Sequence, residues 1–252
     1  MENAKVNYDL NHLENLSSVL KVDLVEKFFD IFFGETTEID SIIDSLNSRD
    51  RINGISQAKD IENLEKIKNK TNRKIVKIKA QKLILFLKSI GENEDSKTRR
   101  DLLVKALKVN ENFDFDKLDL NYYEKIDYRI LMNYALTLKD KKEKLRIYKF
   151  IESSLDEDDR LRPILYNNMA NLYFVLENKK KASDYIDRVI NLNKNNPPSP
   201  VMFYTKALIL ESLDLPFESY LEKSLDLAKD DRQTYQHILQ ALDLKNKDKN
   251  IN

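Results

Sequence analysis

The sequence predicts an all-helical protein, and three observations carry that expectation. Glycine and proline are scarce, at three and five in 252 residues, while charged residues make up 34%. Few turn formers and many Lys, Glu and Leu favour long helices over a sheet. Apolar residues recur at helical spacing in one segment after another. Finally, small residues recur at a long, nearly fixed interval. Ala135, Ala170 and Ala207 are 35 and then 37 residues apart, and Ile147, Ala182 and Ser219 follow them twelve positions later at the same steps.

That interval is the period of a tetratricopeptide-like helix pair, about 34 residues, with small residues where the paired helices touch. Such pairs stack into a right-handed superhelix with a concave binding face. A binding scaffold is therefore the leading expectation, and an enzyme is not expected.

Taken in order, Leu13, Leu16, Leu20 and Leu24 repeat at helical spacing up to Gly34. Asp9 or Asn11 is a candidate cap for a first helix, and Asp23 for a second running to Phe33. Phe28, Phe29, Phe32 and Phe33 form an aromatic cluster read as packing. From Thr36 to Asn53, Ile39, Ile42, Ile43 and Leu46 line one helical face, closed by the turn dipeptide Asn53-Gly54. The segment 56–90 reads as two helices or one bent one. Its basic run from Lys66 to Lys82 is read as the solvated face of an amphipathic helix rather than as a nucleic-acid patch.

A helix is expected from Lys97 to Val109. Further helices are expected at Tyr122 to Leu138, Lys142 to Leu155, Leu161 to Leu176, Lys180 to Leu192, Val201 to Leu213 and Pro216 to Lys229. A last one runs from Arg232 to Leu244. Pro197, Pro198 and Pro200 mark a stiff connection, and Pro216 a helix start. The best-formed repeat is Ile164 to Leu192, where Ala170 and Ala182 allow close approach beside Tyr173 and Ile186.

Composition excludes several chemistries. There is no cysteine, so disulfides, Cys-based zinc sites and thiol catalysis are ruled out. Lys plus Arg and Asp plus Glu are each 43, which gives no bulk attraction to nucleic acid. The first residues lack the apolar core of a signal peptide, and the longest apolar stretches, such as Leu83 to Leu87, are too short to span a bilayer. A cytoplasmic location without a membrane is expected. His12 and His237 lie far apart, and no metal spacing, phosphate loop or catalytic triad is visible, so no metal or cofactor is expected. The pair Asp158-Asp159 falls in a turn and reads as a solvated cap.

In a stacked pair the first helix lines the concave face. On the helix from Leu161, Ile164, Asn167, Asn171 and Phe174 share one side. A carboxamide offers one acceptor and two donors. Two of them one turn apart match the N–H and C=O groups of an extended peptide main chain. The same logic marks Arg129, Met132 and Asn133 on the preceding repeat, and Tyr204 and Lys206 on the following one. Arg129 is a candidate to hold a carboxylate in a two-pronged hydrogen bond. Tyr204 is either site or core, and Lys206 reads as a solvated charge.

Two stretches resemble peptide-sensing transcription regulators of Gram-positive bacteria, the Rgg/MutR-type branch of the group that includes PlcR and the Rap phosphatases. Glu2-Asn3-Ala4-Lys5, Tyr8-Asp9-Leu10-Asn11-His12-Leu13 and Leu20-Lys21-Val22 are similar to the end of a repressor-type helix-turn-helix domain. Tyr166-Asn167-Asn168-Met169-Ala170-Asn171-Leu172-Tyr173 resembles the family's asparagine-bearing helix, and Tyr123-Glu124 through Asn133 is more loosely similar. The resemblance implies a DNA-binding remnant at 1–33 and a peptide-sensing, dimerising repeat domain at 34–252. It also implies a homodimeric, quorum-sensing regulator whose partner is a short signalling peptide held by Asn167, Asn171 and Asn133.

The helices that would enter the major groove are missing from the pattern, so DNA binding is expected only through a complete helix-turn-helix domain. The rival expectation is a protein-binding repeat module that inhibits a signalling partner without touching DNA.

Overall fold

Helices account for every regular element among the described residues apart from a single 3-10 turn. The computed structural model describes residues 10–21, 23–25, 27, 37–47, 54–91, 95–109, 113–192, 199–229, 235–236 and 238–240. The chain divides into two compact units, Met1–Ile151 and Glu152–Asn252. The boundary expected between residues 33 and 34 lies outside the described residues, as do the four clustered phenylalanines, Asn53, Pro197 and Pro198.

The first unit contains α1 (Leu10–Leu20), α2 (Thr37–Asn47), α3 (Gly54–Lys70), α4 (Lys74–Ser89), α5 (Ser96–Leu107) and α6 (Lys125–Thr137). The segment 56–90 is thus a helix pair, broken at residues 71–73. Consecutive helices α3 to α6 pack each on the next. Their buried stripe includes Leu64, Leu83, Phe86, Leu103, Ile126 and Ile130.

Polar residues fix two of the helix starts. Asp95 Oδ1 accepts from the N–H groups of Lys97 and Thr98 at 2.7 and 2.9 Å, satisfying donors that α5 leaves open. At α6 the Glu124 N–H donates to Asp127 Oδ2 at 3.0 Å, one half of a capping box. The helix α7 (Lys141–Ser154) follows. It buries Ile147, Tyr148 and Ile151 and starts where Asp140 Oδ1 accepts from the Lys142 N–H.

The second unit is built from α8 (Arg162–Val175), α9 (Lys179–Leu192), α10 (Pro200–Ser212) and α11 (Glu218–Ala228). Each packs on the next, and α8 also touches α10. Ala170, Ala182 and Ala207 are all buried, as are Ala135 and Ile147 of the first unit. Ser219 departs from this track. It is exposed, because α11 begins only one residue before it, and the buried small residues of that helix are Ser224 and Ala228; the Ser224 hydroxyl donates to the Pro200 carbonyl at 2.7 Å. Pro216 likewise lies just outside α11 rather than in its first turn. Of the expected last helix, residues 235–236 and 238–240 are described and helical.

Local geometry repeats where the sequence does. Beyond α8, Glu177 adopts φ 59°, and beyond α10, Asp214 adopts φ 56°. Both sit in the left-handed region that favours glycine. In each case two backbone bonds close the helix: Asn178 N–H to Tyr173 C=O and Glu177 N–H to Phe174 C=O, then Leu215 N–H to Leu210 C=O and Asp214 N–H to Glu211 C=O. This is the Schellman closure at both ends. Exchanging Glu177 for glycine relieves the left-handed strain and returns part of the gain to a freer unfolded chain. We expect Glu177→Gly to raise stability by about 0.5–1 kcal/mol, measured by urea unfolding; a loss would place the residue elsewhere in φ/ψ space.

Candidate functional site

The start of α8 is pinned before its side chains are placed. The Leu161 N–H donates to Asp159 Oδ1 at 2.8 Å in the turn before the helix, but no side chain caps α8 itself, so the Asp158-Asp159 pair is not the helix cap expected of it. Pro163 occupies the first turn, where a missing N–H costs little. The Arg162 guanidinium donates back to the carbonyls of Leu155 and Asp156 and to the Tyr166 hydroxyl.

One side of α8 is committed to packing. Leu165, Tyr166, Met169, Ala170, Leu172 and Tyr173 are buried. Tyr185 of α9 stacks on Tyr173 at 5.4 Å and meets Tyr166 edge-on at 5.5 Å. Its hydroxyl donates to Glu152 Oε1 at 3.0 Å. With both of these side chains held by α9, the rotation of α8 about its axis is fixed.

The opposite side is the one the spacing marked. Ile164, Asn167, Asn168 and Phe174 are half-buried there, and Asn171 is exposed. Asn167 Oδ1 is enclosed yet accepts no hydrogen bond. A buried acceptor left unmade costs about 1–3 kcal/mol, and Asn171 offers its carboxamide one turn further on. Tyr204 stands on α10, which packs against α8, and is half-buried. Burial, then the nearby Glu211, pushes its hydroxyl pKa up. Lys206 is not the solvated charge expected. It is buried, and its ammonium donates to Asp187 Oδ1 at 2.8 Å and Ser183 Oγ at 3.2 Å, because α9 brings both against α10.

Arg129 and Asn133 lie one turn apart on α6, in the first unit. The Arg129 Nε and Nη1 are enclosed and donate to nothing, and burial alone pushes the guanidinium pKa down to about 10. A guanidinium desolvated without a carboxylate partner is poised to take one. Asn133 is half-buried, and its Nδ2 donates to the Arg129 carbonyl at 2.9 Å, so part of its bonding capacity serves its own helix. Met132 is not on the open side. It is fully buried, since α6 also buries Leu131 and Ala135 beside it.

Sequence reasoning missed a buried ionic cluster in the first unit. Lys82 Nζ donates to Asp127 Oδ2 at 2.8 Å and lies 3.8 Å from Glu124 Oε2. Of the basic run, Lys66, Lys70, Lys74 and Lys77 are exposed as expected, but Lys79 and Lys82 are only 3% and 1% exposed. A signal existed. Val76, Lys79, Ala80 and Leu83 share one helical stripe, so Lys79 stands where an apolar residue belongs.

Among the described residues no group of three potential metal ligands occurs, and no helix is long and apolar enough to cross a membrane. No family model matches the chain, and no curated protein or solved structure matches it.

Proposed function

We propose that this chain is the ligand-sensing part of a peptide-responsive transcription regulator of quorum-sensing type. In this reading its helix pairs form a right-handed tetratricopeptide-like superhelix that binds a short signalling peptide. The observation that carries the reading is the open side of α8. There the unsatisfied carboxamide oxygen of Asn167 and the exposed carboxamide of Asn171 lie one turn apart, between Ile164 and Phe174. Asn171 accepts from and donates to a peptide main chain where it stands, and Asn167, whose Oδ1 is enclosed in the unliganded chain, does so once its side chain turns outward, while apolar neighbours take the peptide's side chains. Support for the repeat comes from the matched closures of α8 and α10, 37 residues apart in the chain, and from the contact between those two helices.

The protein acts as a cytoplasmic homodimer. Peptide binding favours one of two conformations by differential affinity. DNA is reached only through a complete helix-turn-helix domain. Arg129 supplies a separate carboxylate anchor within the first unit.

The reading is tested with an octapeptide selected from a display library on the full chain. Asn167→Ala and Asn171→Ala are each expected to weaken its binding about tenfold by calorimetry, the loss of one or two hydrogen bonds. Circular dichroism is expected to show unchanged helix content. Equal affinities in wild type and both variants would sink the proposed face.

A further inference from the structure

The first unit holds a cavity of about 390 Å³ that the peptide reading does not use. Its volume lies within the range of small-molecule sites, roughly 300–1,000 Å³. The walls come from α1, from Asp23 and Val25, from the first turns of α4, and from Val109, Tyr122 and Glu124 on the approach to α6.

The polar lining is rich in acceptors. Glu14, Asp23 and Glu124 bring three carboxyl groups. Lys74 is the one basic residue among the lining, and it is exposed at the first position of α4. The serines add no spare donors. Ser17 Oγ donates to the Leu13 carbonyl at 2.7 Å and accepts from the Leu24 N–H at 2.9 Å, and Ser18 Oγ donates to the Asn15 carbonyl at 2.7 Å. Glu124 is buried, and its Oε2 accepts no hydrogen bond. Lys82 Nζ is 3.8 Å away and donates to Asp127 instead, and Lys79 of α4 also acts on this carboxyl. The rest of the wall is Tyr122, whose phenol can donate one hydrogen bond and accept others, and the aliphatic side chains of Val25, Ile75, Ile78 and Val109.

Such a lining asks for a ligand with several donors, a positive charge and an apolar stem. An ammonium has three donors and no acceptor. A hydroxyl supplies one donor and no charge, and a carboxylate would meet the like charges of Glu14 and Asp23 and, above about pH 7, that of Glu124. We propose that this cavity binds a primary aliphatic amine, with its ammonium between Asp23 and Glu124 and its chain along Ile75, Ile78 and Val109. The site is independent of the peptide-binding face on α8, so either can fail without the other.

The test is calorimetric titration of the full chain with n-hexylammonium, and with hexan-1-ol and hexanoate as neutral and anionic counterparts. The amine is expected to bind about tenfold or more tighter than either counterpart, and Asp23→Asn and Glu124→Gln are each expected to weaken it about tenfold. Ser18→Trp, at an exposed position on the lining, fills the cavity without disturbing the buried charges and is expected to abolish binding. It keeps the test decisive should Glu124→Gln fail to fold. The proposal is overturned if hexan-1-ol or hexanoate binds as tightly as the amine, if no amine binding is found, or if Asp23→Asn and Ser18→Trp bind it like wild type.

Discussion

Lys82→Met is expected to cost the first unit about 3–5 kcal/mol at neutral pH, the scale of breaking a buried ion pair by removing one partner. Lys82 lies inside the packed stripe of α4, with its ammonium on Asp127 Oδ2. Burial opposes its charge, but the Asp127 and Glu124 carboxylates outweigh that and hold its pKa above the ordinary lysine value. The contribution is therefore fully present below the ordinary lysine pKa and is lost as pH rises through the higher folded value. Methionine keeps much of the stem's packing but leaves Asp127 buried without its cation. Amide hydrogen exchange along α4 and α6 reads the loss where it occurs. A loss under about 1 kcal/mol, the scale of an exposed pair, would show that the cluster is solvated. The triple change Lys82→Met, Glu124→Gln and Asp127→Asn is expected to recover part of the stability, since no charge is then stranded.

The second large effect is the pH dependence set by Glu124. Burial, opposed by Lys82 and assisted by Asp127, raises its pKa from an ordinary 4.5 to about 7. Between those two values the folded state binds a proton that the unfolded state releases. Stability therefore falls as pH rises from about 4.5 to about 7, by roughly 3 kcal/mol for this residue, and then levels off. The charged groups around it are Lys82 and Lys79 of α4, Asp127 of α6 and Asp23. Other carboxylates contribute their own slopes, so the measurement is the difference between wild type and Glu124→Gln by urea unfolding at pH 4.5 and 7.5. That difference is expected to shift by about 3 kcal/mol in favour of the glutamine variant at the higher pH. A constant difference would mean that Glu124 ionises like a surface carboxylate.

Much of the helical plan was legible from local pattern. Expected and observed ends of α5 to α10 agree within a few residues, because apolar spacing at three and four positions, with breaks at 138–140 and 176–178, is a property of neighbouring residues. The alanine track held at Ala135, Ala170, Ala182 and Ala207 because close helix contact demands a small side chain wherever it occurs. It failed at Ser219, where the starting point of α11, rather than the interval, decides which small residue is buried. On the open side of α8, spacing placed Asn167, Asn171 and Phe174 together, but which carboxamide is enclosed and which is exposed depends on how α9 fixes the rotation of α8.

By itself, then, the sequence determined that this chain is helical, where its helices run and which faces carry amide groups, since each of those follows from residues within a turn or two of one another. Only the tertiary structure decided which charges leave water. Lys82 meets Asp127 across 45 residues of chain and Lys206 meets Asp187 across 19. A lysine in a basic run is solvated or buried according to whether a distant helix delivers a carboxylate to it; the apolar stripe marks Lys79 as a buried position, but the partner comes from elsewhere in the chain.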